Sequence, residues 1–219
     1  YQSLYLKAHH PLEFLVGVAN NFGGFYHTEF YLHEAKRAGA VIEAPCVNTS
    51  EELCSLHKAT GWAGPSHASS RAAQPTPDGP HPAARIHLGL SNIKGLESGA
   101  VELILHERRR NGPFAHLEDL LRRVPMGQEQ VRILARVGAL RLTGRSKPQL
   151  LWDITLLHRP ATVAADGDLF ATPVEAPKLP DLQHHPLADA YDELELLGFP
   201  LCDPFSLVDP VQEDPRAPF

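Results

Sequence analysis

Three cysteines, one methionine and two tryptophans are all that 219 residues contain of those types. Cys46, Cys54 and Cys202 are odd in number and never spaced as C-x-x-C, which excludes a disulfide framework and points to a reducing, cytoplasmic compartment. No apolar run approaches the ~18 residues of a membrane helix, so a soluble chain with no membrane partner is expected. No secretory leader is expected either, because no basic region followed by an apolar stretch opens the sequence. An excess of positive charge is the last absence. Twenty basic side chains face 26 acidic ones, and the net −6 argues, as a single figure, against a nucleic-acid partner.

That figure averages unlike stretches. Residues 1–85 carry six basic and seven acidic side chains, 86–159 twelve and seven, and 160–219 two and twelve. Proline segregates as well, with five of the 20 in 61–85 and ten in 160–219. The expected layout is therefore a folded stretch over 1–60, a flexible Pro/Ser/Ala-rich insert over 61–85, a compact basic domain over 86–159 and an acidic linker over 160–219. Self-repulsion is expected to hold that last segment extended.

Helical spacing of Leu4, Tyr5 and Ala8 begins at once. With Tyr1 in first place and Met126 the only methionine, the chain reads as a stretch of a longer polypeptide. Leu12, Leu15, Val16 and Ala19 continue the period behind Pro11, a residue suited to a first turn. Thr28 is the expected N-cap of a helix through Arg37, stopped by Gly39. Residues 40–47 read as extended, broken at Pro45.

The most informative block runs from Ile86 to Arg108. A short apolar segment enters Ile93-Lys94-Gly95-Leu96, and after Gly99 comes an amphipathic helix with Val101, Ile104 and Leu105 on one face. This is the pattern of a helix-hairpin-helix, whose tight turn aims backbone N–H groups and a helix dipole at phosphate without reading bases. Lys94, Gly95, Leu96, Ser98 and Gly99 are its candidate DNA contacts, joined by the cations Arg108, Arg109 and Arg110. Glu97 stands where the motif usually has a second glycine, and a carboxylate there repels phosphate. The hairpin thus reads either as a phosphate site or as a structural turn, and the arginine run either as a DNA contact or as a solvated face. Helix patterns at Leu117–Val124, Gln128–Arg136 and behind Ser146, with a turn at Gly138, suggest a second, degenerate hairpin. The expected fold class is mainly α, with a tandem helix-hairpin-helix domain and Pro-rich linkers.

An ordered series of landmarks then becomes recognisable: YQSLYLKAHHPLEF at 1–14, NFGGFY at 21–26, VNTS at 47–50, LGLSNIKGL at 88–96, RNGPF at 110–114, LEDL at 117–120, GAL at 138–140, QLLW at 149–152 and ELLGF at 195–199. Together they resemble the bacterial C-family DNA polymerases, the DNA polymerase III alpha subunit, over nearly the whole chain except 61–85. The KGLES form at 94–98 resembles the Bacteroidetes branch. The resemblance implies that 1–60 ends a fingers domain, that 86–159 binds duplex DNA, and that the rest of a DNA-directed DNA polymerase chain is a partner. It implies Mg2+ for the whole nucleotidyltransferase of DNA replication, held by aspartates upstream; no catalytic or metal-ligating residue is assigned here, and this stretch alone is expected to be inactive.

A further partner implied by the resemblance is the sliding clamp, the beta subunit. Asp166-Gly-Asp168-Leu169-Phe170 resembles the family's clamp-binding motif, with Asp166 in the place usual for Gln. Leu169 and Phe170 would enter an apolar pocket, each worth about 1.5–3 kcal/mol. Two other function classes stay open: a protein-interaction adaptor in which Glu97 has abolished DNA binding, and, more remotely, a DNA glycosylase with Asp119 as its acid. The pairs His9-His10 and His184-His185, and Cys46, Cys54 and His57, lack metal-ligand spacing and read as ordinary side chains. Trp62 and Trp152 read as packing groups.

Overall fold

The computed structural model describes residues 2–21, 25–58, 84–157, 186–202 and 207. Helix α1 (Gln2–His9) buries none of its residues. Pro11 opens α2 (Pro11–Asn20), and the four apolar positions of its stripe, Leu12, Leu15, Val16 and Ala19, are all buried. Helix α3 (Thr28–Arg37) turns Leu32 and Ala35 inward against α2. Its cap differs from expectation: His27 is the N-cap and Thr28 the first helical residue, with no side-chain capping bond. Gly39 ends the segment at φ +93, a conformation open to glycine at little cost.

The chain then enters a small sheet. Strand β1 (Ala40–Glu43) runs parallel to β3 (Ala84–His87), and β2 (Ser55–Lys58) pairs antiparallel on the other edge of β3. Ile86 sits opposite Ile42 and Leu56, so apolar side chains meet across all three strands. Period-two alternation holds in β3. Ala84 and Ile86 face the core while Arg85 stays exposed and pairs with Glu43 at 3.0 Å. Strands of four residues carry little periodicity, and only the 40–47 segment was legible as extended.

Helix α4 (Ser98–Asn111) buries Ala100, Val101, Ile104 and Leu105, the expected stripe. It is followed by α5 (Leu117–Arg123), α6 (Gln128–Arg136) and α7 (Lys147–Leu157). At the start of α7 the Ser146 N–H donates to Gln149 Oε1 at 3.1 Å, so the side chain reaching back satisfies a first-turn donor. Leu12, Ile86, Leu90, Ile104, Leu120, Leu134, Leu140 and Ile154 all belong to one core, which runs unbroken from α2 through the sheet to α7. The fold is mainly α, as expected.

One segment departs from expectation. Part of the stretch read as an extended acidic linker is helix α8 (Pro186–Leu196), followed by a turn at Gly198. Ala190, Leu196, Leu197 and Phe199 are buried, the last three in the common core. Their burial, at roughly 1.5–3 kcal/mol for each large side chain, outweighs the repulsion that net charge alone would predict. Among the described residues no helix is long and apolar enough to cross a membrane.

Candidate nucleic-acid interface

The first hairpin turn is built as the sequence predicts, with Gly95 at φ +80 and Lys94, Gly95, Glu97, Ser98 and Gly99 all exposed. Its backbone donors are another matter. The Lys94 N–H donates to Leu196 O at 2.8 Å and the Leu96 N–H to Ile93 O at 3.3 Å. The Glu97 N–H donates to Gln130 Oε1 at 2.8 Å, and Gln130 Nε2 donates in turn to Gly95 O at 3.0 Å. What remains open to an anion is the start of α4, where Ser98 and Gly99 expose first-turn N–H groups and no side chain caps the helix.

The arginine run lies at the far end of the same helix. Eleven residues separate Ser98 from Arg109, about 16 Å at 1.5 Å per residue, so the two halves of the predicted site do not form one pocket. The three arginines also differ among themselves. Arg108 donates to Val47 O at 3.1 Å, Ser50 O at 2.6 Å and Glu51 Oε1 at 2.6 Å, and its side chain is only 10% exposed. Its guanidinium thus closes the 47–51 loop onto α4, a structural role beside the DNA contact expected of it. Arg109 reaches Glu51 at 3.0 Å but is 69% exposed. Arg110 is exposed and has no carboxylate partner among the described residues.

A second basic cluster was not singled out from the sequence. Around the Gly138 turn (φ +76) a cleft of about 320 Å³ is lined by Arg136, Arg141, Arg145 and Lys147. Arg141 donates to the carbonyls of Ala44 at 2.9 Å and Gly138 at 3.0 Å. Arg145 pairs with Asp153. Arg136 meets Asp192 at 2.7 Å and also Glu195, while Lys147 meets Asp192 at 2.9 Å and also Asp189. The Arg136 guanidinium holds the Glu195 carboxyl below the usual carboxylate range. The acidic helix α8 therefore lies on the basic face of the second hairpin. Its three-residue spacing of Asp189, Asp192 and Glu195 was the available signal.

Asp119, the acid a glycosylase would need, is fully engaged. It receives Arg122 at 3.0 Å, Arg123 at 3.2 Å and the Ala115 N–H at 3.3 Å. Burial raises its carboxyl, yet these donors prevail and hold it below its ordinary value. No three His, Cys, Asp or Glu side chains converge on a metal site among the described residues, which do not form a seat for the Mg2+ that a whole polymerase implies. The clamp-motif residues Asp166, Asp168, Leu169 and Phe170 lie outside the described residues.

Two glycine-turned hairpins sharing one core define the class, and the chain belongs to the helix-hairpin-helix motif family, whose model matches residues 39–150. More particularly, the chain is similar to error-prone DNA polymerases. That of Mycobacterium tuberculosis is 30% identical over 197 residues, covering 90% of this chain and 15% of the relative. The Methylococcus capsulatus protein of the same name is 30% identical over 218 residues, 91% of this chain and 20% of the relative. The one from an Azoarcus species is 33% identical over 180 residues, 80% and 15%. The chain thus spans between 15% and 20% of the length of these curated relatives. The resemblance to a bacterial DNA polymerase is borne out.

Proposed function

We propose that this chain is the DNA-holding stretch of a bacterial DNA-directed DNA polymerase acting in the cytoplasm. It grips duplex DNA through the phosphate backbone, without reading bases, and is tethered to the sliding clamp by Leu169 and Phe170. The family match over the paired hairpins, within relatives named as polymerases, is the observation that carries this reading. In detail, Lys94, Ser98 and Gly99 at one end of α4 and Arg109 and Arg110 at the other contact phosphates. The ~16 Å between them corresponds to about five base pairs of duplex. The nucleotidyl transfer itself belongs to metal-binding carboxylates elsewhere in such a polymerase.

Fluorescence anisotropy with duplexes of unrelated sequence tests the grip. Equal affinities that weaken steeply between about 50 and 200 mM salt are expected, and affinity indifferent to salt sinks the reading.

One observation favours a second reading, a protein-interaction adaptor: Gln130 has taken the Glu97 N–H, and an exposed carboxylate stands beside the turn. Glu97→Gly creating DNA binding from none supports the adaptor. Loss of clamp capture in Leu169→Ala/Phe170→Ala with DNA binding intact supports the polymerase reading.

A further inference from the structure

The second hairpin gathers four cations around one turn, and α8 engages two of them. Arg136 and Lys147 project from α6 and the start of α7 toward the same side of the Gly138 turn, and α8 meets both with carboxylates. Asp192 is shared, 2.7 Å from Arg136 and 2.9 Å from Lys147, and Asp189 and Glu195 complete the set one helical turn to either side. The shared carboxylate is 16% exposed and Lys147 14%, so these pairs are shielded from the screening that weakens surface ion pairs. Arg141 and Arg145 are placed differently. Both are exposed; Arg141 is held by neutral carbonyls, and Arg145, just before α7, pairs with Asp153 of that helix rather than with α8.

We propose that α8 is a built-in competitor for DNA phosphate at the second hairpin: its carboxylates occupy Arg136 and Lys147, and leave Arg141, which only neutral carbonyls hold, as the phosphodiester contact of this cleft. The inference rests on the DNA-binding reading above and adds a regulated phosphate site that is separate from the Glu97 hairpin. Carboxylate and phosphate oxygens make the same charge-assisted bonds to guanidinium and ammonium. Release does not require α8 to leave, because the apolar side chains Ala190, Leu196 and Phe199 anchor it. It requires only that two long side chains swing from one anion to another. Whatever neutralises or displaces the α8 acids then widens the DNA footprint by two cations.

The test is a thermodynamic cycle on the 219-residue chain, read by anisotropy with a 20-base-pair duplex over a salt series. Asp189→Asn/Asp192→Asn/Glu195→Gln is expected to bind about tenfold tighter at low salt and to steepen the salt slope by about 2, one for each cation released. Arg136→Gln/Lys147→Gln should abolish that gain in the neutralised background and change the parent by less than about twofold. Equal losses in both backgrounds overturn the proposal, as does an unchanged slope in the neutralised variant. So does an equal gain from neutralising Glu29, Glu34 and Glu102, which lie away from the cleft. If the triple variant is unfolded by circular dichroism, Asp192→Asn alone gives the same cycle, since that carboxylate serves both cations. Absence of DNA binding by parent and variants alike would instead refute the DNA-binding reading itself.

Discussion

The Gln130 side chain joins the two hairpins, accepting the Glu97 N–H at 2.8 Å with its oxygen and donating to Gly95 O at 3.0 Å with its nitrogen. Both ends of the amide are used and the residue is 9% exposed, so the first turn is shaped from within by the first turn of α6. The Glu97 N–H is thereby removed from any anion site, whatever the Glu97 carboxylate does.

Replacing Gln130 by leucine, a similar volume without polar atoms, strands a donor and an acceptor. A loss of about 1 kcal/mol is expected in urea unfolding, because two part-buried backbone groups lose their partner. Gln130→Glu should lose part of that, since it keeps the acceptor for Glu97 but presents an oxygen to Gly95 O. A leucine variant as stable as the parent would falsify this role of the Gln130 bridge.

The arginine run divides into a structural and a surface half. Arg108→Ala leaves two carbonyls without their donor, in a side-chain environment that is 10% exposed, and Glu51 with Arg109 alone; it should cost about 2–4 kcal/mol of unfolding free energy. Arg110→Ala should leave stability within about 0.5 kcal/mol and lower the salt slope of DNA binding by about 1. Reversed results, stability lost at Arg110 and slope lost at Arg108, would contradict this division.

Most helices were legible because their apolar stripes are local. Leu12, Leu15, Val16 and Ala19, or Val101, Ile104 and Leu105, announce a face whatever packs against it. What escaped was contact between distant segments. Nothing local about Gln130 marks it as the partner of Glu97, beyond a polar residue that shares the buried side of α6 with Val131, Ile133 and Leu134. Arg108 looked like its neighbours because its acceptors lie nearly sixty positions away. Helix α8 was hidden by composition: proline and acid counts describe the segment average, whereas Ala190, Leu196, Leu197 and Phe199 decide whether part of it docks.

Glycine gives a sharper comparison. The Gly95 turn drew notice for its conformation, but the crowded position is Gly89, at an ordinary φ of −72. A Cβ there would stand 2.4 Å from both Glu52 O and the Leu53 carbonyl carbon, where the 90–92 turn hydrogen-bonds back onto residues 51 and 52. Backbone cannot yield as a side chain can, so Gly89→Ala should cost more than about 3 kcal/mol or prevent folding. Gly95→Ala, at φ +80 and with Ile133 Cδ1 3.2 Å from the new methyl group, should cost about 1–2 kcal/mol. Thermal denaturation ranks the two, and a larger loss at Gly95 would show that conformation outweighs sterics here.

A pH dependence follows from His87 on the central strand. Its Nδ1 is buried without a hydrogen-bond partner among the described residues, and its ring meets His57 edge-on with centroids 4.7 Å apart. Burial first, then the neighbouring His57, Arg85 and Arg141, push its pKa below the ordinary 6.5, with only Glu43 acting in the other direction. The folded chain therefore binds this proton less tightly than the unfolded chain. Its contribution to stability is complete above about pH 6.5 and is lost as pH falls through that value toward the lowered folded pKa. Asp119 and Glu107, both held below their ordinary values, lose their share only below pH 3.8 and 4.5 respectively. Glu193, which burial raises, has the opposite sign and gains stability as it protonates. Urea unfolding at about pH 7.5, 6.5 and 5.5 should thus show a decline that His87→Gln flattens, because the amide fills the ring's place without titrating. A parent chain with level stability across that range would show that no such transition occurs, and an equal decline in the variant would assign it to another group.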